Sequence, residues 1–169
     1  AGAPDQLARD HVLARMRPWL ESPRHAKVGQ NLKYDTHVFE NHGIRLAGVS
    51  HDTLLQSYVL EAHRTHDLGA LASRHLNRAS IPYEQVAGKG ASQIGFEQVA
   101  IEQAGQYASE DADLTMHLHR TLHPRIAVEP RLGYVYREIE MPSSRVLQRM
   151  ERNGVLVDAR RLEAQSDEL

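Results

Sequence analysis

The chain has 169 residues, of which 41% are hydrophobic and 25% charged, with a formal net charge of −2. That length suits one domain, or one domain and the beginning of another, and the weak negative charge means that any nucleic-acid contact must be local rather than spread over the whole surface. Zero cysteines exclude disulfides, thiolate metal sites and cysteine nucleophiles. No apolar run approaches the roughly 20 residues of a membrane span and no signal-peptide pattern opens the chain, so no membrane contact and a cytoplasmic setting are expected. The chain starts at Ala1 without methionine and stops at Leu169 inside an apparent helix. It reads as a piece of something longer.

In chain order, Asp5 can cap a helix from near Gln6, with Val12, Met16, Trp19 and Leu20 on one face. Pro18 is expected to kink or end it. Ala26-Lys27-Val28-Gly29 reads as a short strand. Asn31 is a good N-cap and Gly43 a good stop for the next helix, whose apolar stripe is Leu32, Val38 and Phe39. Asp35 falls in that same sector, where burial is expected.

Ile44 to Ser50 alternates as a strand does, and Asp52 caps a helix through Leu54, Leu55, Tyr58, Val59 and Leu60. A further helix runs from about Asp67 to Leu76. Ser80 to Phe96 is mostly loop, and its Ala87-Gly88-Lys89-Gly90-Ala91 lacks the spacing of a P-loop.

Ile101 to His123 reads as the central helix, with Ile101, Ala104, Ala108, Leu118 and Leu122 on one broad face and Pro124 closing it. Asp111 lies near the middle of that face, with Tyr107 one turn before it. An ionised carboxylate taken out of water costs several kcal/mol or so unless a cation, a metal or a donor network compensates it. A salt bridge to an arginine would do so. Two inward acids on separate helices, each beside a tyrosine (Tyr34 and Tyr107), suggest a shared site, with two unrelated solvated aspartates at the core edge as the alternative.

After Glu129-Pro130 and Gly133, an amphipathic helix carries Val135, Ile139, Val146, Leu147 and Met150, interrupted at Pro142. Asn153-Gly154 ends it, Val155-Leu156-Val157 looks like a strand, and Asp158 caps a last helix. Arg145, Arg149, Arg152, Arg160 and Arg161 make this stretch basic. Interspersed acids favour a solvated helix face, with a phosphate-tracking surface as the second reading.

Eleven histidines invite a metal argument. His119 and His123 stand one turn apart, but Arg120 follows the first where a zinc protease helix carries glutamate, so both read as surface residues. His42, His66-Asp67 and Asp111 imitate the order of ligands in HD-type metal phosphohydrolases. Those proteins are all-helical, whereas strands are readable here. No nucleophile elbow supplies a serine triad.

Several segments together resemble one family, the bacterial DNA polymerase I or family A polymerases. Lys27-Val28-Gly29-Gln30-Asn31-Leu32-Lys33-Tyr34-Asp35 resembles the second motif of their 3′–5′ proofreading exonuclease. Tyr107-Ala108-Ser109-Glu110-Asp111 resembles the third, Tyr-x-x-x-Asp. Asp52-Thr53, Ser57-Tyr58, His66-Asp67-Leu68 and Ala87-Gly88-Lys89-Gly90 match between them. Ile139-Glu140-Met141-Pro142 and Glu151-Arg152-Asn153-Gly154-Val155 resemble the start of the polymerase domain.

The resemblance implies an α/β chain: a partial ribonuclease-H-like exonuclease fold, helix-rich with few strands, followed by the first helices of a polymerase thumb. It implies residues 1–127 as the C-terminal part of the exonuclease domain and 128–169 as the start of the polymerase domain. The chemistry implied is two-metal hydrolysis at a DNA 3′ end, with two Mg²⁺ or Mn²⁺ ions about 4 Å apart around the scissile phosphate. Asp111 and Asp35 would be metal ligands, and the Tyr107 hydroxyl would orient the attacking water. Gln30, Asn31 and Tyr34 would lie along the single-stranded 3′ end of the primer.

The family's first motif, Asp-x-Glu, has no match here and would precede Ala1, with the first three strands of the sheet. The rest of the polymerase would follow Leu169. The isolated chain is therefore expected to be inactive. Two other readings stay open: a non-catalytic domain that supports a polymerase, and a related ribonuclease of the same fold.

Overall fold

The structure, a computed structural model, describes residues 3–168. Its elements run α1 (Arg9–Leu20), β1 (Lys27–Gly29), α2 (Leu32–Asn41), β2 (Val49–Asp52), α3 (Thr53–Glu61), α4 (Leu68–Leu71), α5 (Tyr83–Ala87), α6 (Ile101–Ala127), α7 (Pro130–Tyr134), α8 (Met141–Asn153) and α9 (Ala159–Glu168). A wide π-helical turn, Ala72–Leu76, continues α4, and a second, Val135–Glu140, joins α7 to α8. β1 and β2 pair in parallel, with Gly29 opposite Asp52 and an irregularity after Lys27. α2 makes the crossover that a parallel pair requires. The result is a helix-rich α/β chain with few strands, as the family resemblance implies.

The core forms along the C-terminal half of α6. Leu118 and Leu122 pack with Leu71, and Ile126 packs with Tyr136 and Met141. Leu60 touches both groups, so α3 binds them into one body.

Asp52 does more than the sequence suggests. It caps α3 by accepting from Leu54 N at 2.9 Å. The same carboxylate accepts from Asn31 N at 3.0 Å and Leu32 N at 2.8 Å. The side chain of Asn31, expected to cap α2, makes no cap; the residue sits in the left-handed region at φ 58°. One buried acid therefore caps two helices and fixes their mutual position.

Other boundaries differ from the sequence reading. α1 begins at Arg9, with Ala8 and not Asp5 at its N-cap, and Pro18 lies inside its last turn. Its missing N–H removes one i→i−4 hydrogen bond, and the helix ends two residues later. The strand expected over Ile44 to Ser50 is confined to Val49–Asp52. Gly48, at φ +73°, turns the chain where any Cβ would collide with the His25 carbonyl, and pairing with β1 starts only at its own carbonyl, which accepts from Lys27 N at 2.8 Å.

α6 runs through Pro124 to Ala127. Its buried stripe is Leu114, Thr115, Leu118, Leu122 and Ile126, whereas Ile101 and Ala108 are exposed because the core lies against its second half. Pro142 heads α8 instead of interrupting a helix, for the π turn before it absorbs the lost hydrogen bond. Val155-Leu156-Val157 is not a strand; its side chains are exposed and no neighbouring strand among the described residues supplies hydrogen bonds. Gly154 at φ +74° ends α8 as expected. No helix among the described residues is long and apolar enough to cross a membrane.

Candidate functional site

β1 leads directly into α2, and Asp35 stands in the first turn of that helix. Leu32 and Phe39 on the same face turn its carboxylate toward a cavity of about 620 Å³. Across it, α6 presents Asp111 and Thr115. Asp35 and Asp111 thus line one cavity, although 76 positions separate them in sequence. Both are half-buried. Neither belongs to an ion pair among the described residues.

Burial pushes the Asp35 carboxyl above its ordinary range; a backbone hydrogen bond works against this, and the charge of Asp52 adds to it. Burial likewise raises Asp111, partly offset by the Tyr107 hydroxyl and reinforced by Glu110. The Tyr107 hydroxyl is raised in turn, first by burial and then by the neighbouring Asp111 charge. These are acids that the fold would ionise more readily if a cation joined them.

Tyr107 is held by residues from the stretch the sequence pattern leaves as loop. Its ring stands edge-on to Tyr83, with centroids 6.2 Å apart, and to Phe96 at 5.8 Å. Periodicity cannot find such a clasp, because Tyr83 and Phe96 belong to short, separate turns. Aromatic content in an otherwise polar loop was the only available signal.

Lys27 is a second residue that the sequence pattern passes over. It lines the cavity, is 5% exposed, and donates from Nζ to the carbonyls of Ser22 at 2.8 Å and His25 at 3.0 Å. Its ammonium lies 4.9 Å over the Trp19 ring. It thus brings positive charge to the cavity without neutralising either aspartate by direct contact.

Gln30 also lines the cavity, but its amide donates to the His66 carbonyl at 2.7 Å and its oxygen accepts from Thr53 Oγ1. It holds the end of β1 in place. Asn31 and Tyr34 are exposed at the head of α2, Tyr34 with 66% of its surface open.

The histidines resolve differently from the sequence reading. His119 and His123 are half-buried, each with its ring centroid 4.5 Å from His51 on β2, and not free surface groups. The HD-type arrangement does not assemble: His66 pairs with Ser57 at 2.9 Å and Asp67 caps α4. Neither lines the cavity with Asp111.

Two half-buried carboxylates with no salt-bridge partner are hard oxygen donors, the kind that Mg²⁺ and Mn²⁺ take. Among the described residues no group of three or more histidines and acids converges on one point. The donor set therefore fits a divalent ion as part of a coordination shell, with further ligands needed to complete it.

The chain is similar to known proteins over nearly its whole length. Residues 1–127 match the model of a 3′–5′ exonuclease family. The chain is 51% identical over 171 residues to DNA polymerase I of Pseudomonas aeruginosa, which covers 99% of this chain and 19% of that protein. DNA polymerase I of Rhizobium leguminosarum is 40% identical over 168 residues, covering 99% and 16%. Among solved structures, the POL domain of Pol1 from M. smegmatis, in complex with DNA primer-template and dNTP, matches with a TM-score of 0.62 and 29% identity over 96% of this chain and 25% of its own. The chain spans about a fifth of the length of the curated relatives it matches. It belongs to the 3′–5′ exonuclease family, in the form that bacterial DNA polymerase I carries.

Proposed function

We propose that this chain is the metal-binding half of a proofreading exonuclease within a DNA polymerase, hydrolysing the 3′-terminal phosphodiester of a DNA strand. The observation that carries the reading is the shared cavity of Asp35 and Asp111, two acids that no cation neutralises. Residues 1–127 form the C-terminal part of a ribonuclease-H-like exonuclease domain, and 128–169 begin the polymerase domain at the base of its thumb.

Asp111 and Asp35 would hold divalent cations, with an Asp-x-Glu pair upstream completing the shell. Two such ions, when bound, supply Lewis-acid activation of the phosphate and of the attacking water. Tyr107, clasped between Tyr83 and Phe96, offers its hydroxyl to orient that water. The Tyr34 ring, exposed at the head of α2, is available for a terminal base to stack on, and Asn31 beside it for sugar or phosphate. Gln30 contributes mainly by keeping β1 and α3 in register, since its amide is already engaged.

The test uses a polymerase that contains this segment together with the upstream motif. Asp111→Ala is expected to remove Mg²⁺-dependent 3′–5′ digestion of single-stranded DNA while leaving nucleotide incorporation intact. The 169-residue chain alone is expected to release no nucleotide. Unchanged digestion by the Asp111→Ala polymerase sinks the assignment.

A further inference from the structure

A second cleft, of about 640 Å³, lies on the other flank of α2, between that helix, the approach to β2 and α8. Its lining is strongly cationic: Lys33, Arg45, Arg145, Arg149 and Arg152, against the carboxylates Glu40 and Asp52. This stands out on a chain whose net charge is −2.

Internal pairing accounts for only part of that charge. Asp52 is spent on backbone N–H groups. Glu40 accepts from Gln148 at 2.8 Å and pairs with Arg152 at 3.4 Å, while Lys33 pairs with Glu151. Arg45, Arg145 and Arg149 are left exposed, with no acidic partner among the described residues. These three guanidiniums come from separate parts of the chain, Arg45 from the turn before β2 and the others from α8. A solvated helix face would account for α8 alone. It gives no reason for Arg45 to join the same cleft.

We infer that this cleft is a second nucleic-acid contact, which holds the phosphodiester backbone of a single strand through Arg45, Arg145 and Arg149. Guanidinium forks match phosphate oxygens in geometry and charge. Leu32, Leu46 and Met141 give the floor an apolar surface for sugar or base. The two cavities share Leu32 and Leu46 and so meet across α2. A strand held here is therefore within reach of the carboxylate cavity. The class of ligand rests on the function proposed above; the site and its residues do not.

The experiment pairs arginine footprinting with a salt titration. The chain carrying Asp35→Asn and Asp111→Asn, so that no strand is degraded, is treated with phenylglyoxal with and without an oligothymidylate. Selective protection of Arg45, Arg145 and Arg149, with Arg9 and Arg120 unprotected, is the expected result. Anisotropy of a labelled oligothymidylate is then followed against salt. Each phosphate contact on a single strand contributes about 0.7 to the log–log salt slope, so Arg45→Ala/Arg145→Ala/Arg149→Ala should lower it by about 2. Those side chains are exposed, and an unchanged circular dichroism spectrum checks that the variant folds.

Equal modification with and without the strand overturns the inference, as does an unchanged slope. Equal protection by thymidine monophosphate at the same concentration also overturns it, since the cleft would then take a lone phosphate. A failed hydrolysis assay with arginine-dependent strand binding retained would remove the carboxylate reading and leave this one standing.

Discussion

The Tyr136 hydroxyl accepts the backbone N–H of Asp52 at 3.1 Å, across 84 residues of sequence. It also accepts from Gln56 Nε2 at 3.2 Å. Tyr136 is 1% exposed, and its hydroxyl is the polar end of a ring that packs on Ile126 and Met141. The segment after α6 is therefore anchored to the residue that caps α2 and α3.

Tyr136→Phe keeps the ring but takes the acceptor from the buried Asp52 N–H, whereas Gln56 Nε2 retains His119 Nδ1 at 2.9 Å. A loss of about 1–3 kcal/mol in urea-unfolding free energy is expected. Because Asp52 also holds Asn31 and Leu32, amide exchange should quicken at those two positions as well. A variant as stable as the parent, with unchanged exchange at the head of α2, would show that the anchor carries no such load.

The raised Asp35 and Asp111 carboxyls have a stability consequence of definite sign. An acid whose folded pKa exceeds its unfolded value favours folding most at low pH, and that contribution is lost as pH rises through the folded pKa. At pH 7 without metal, both ionised carboxylates weigh against the fold. Asp35→Asn/Asp111→Asn should therefore melt higher at pH 7, by a few degrees or about 1 kcal/mol once solvent screening of half-exposed groups is allowed for. Below the ordinary carboxylate value of 3.8 the gap should close. Millimolar Mg²⁺ should raise the parent's melting temperature and leave the double variant's unchanged. Scanning calorimetry across pH 3 to 7, with and without Mg²⁺, checks both halves.

The histidine cluster responds in the opposite direction. His51 is lowered from 6.5 to about 4, first by burial and then by the charges of His119 and His123. His119 is lowered as well, by burial and then by His123 and Arg120. A base whose folded pKa is depressed stabilises the fold above its unfolded pKa, and that stability drains as pH falls from 6.5 toward 4. The chain should lose melting temperature between pH 7 and 5, while His51→Phe, which keeps an aromatic ring against Tyr136, should lose clearly less. Parallel slopes in the two proteins would count against the cluster as the source.

What the sequence makes legible and what it hides divide along physical lines. Asp52 at a helix start, Gly43 and Gly154 at helix ends, and the inward sector of Asp35 all follow from local rules of capping and helical pitch. Tyr107 and Asp111 are visible as a pair for the same reason. The second duty of Asp52 toward α2 is not, because it depends on a contact 20 residues away. Nor is the pairing of His51 with His119 and His123, which needs β2 to lie across α6. Strand length fails at Gly48 and Val155 for a related reason: a strand exists only where a neighbour is in reach, and periodicity carries no information on neighbours.

Only Val128 and Glu129 separate α6 from the helical run that begins at Pro130. With no slack in so short a joint, the rotational phase of everything downstream is set by residue count. One inserted residue at a helical junction swings the following helix by about 100°. Such a swing would carry Tyr136 off Asp52 and Gln148 off Glu40 together. Length is thus a coded quantity at this elbow, whereas the exposed stretch from Gly154 to Asp158 is where added or deleted residues would pass with little notice.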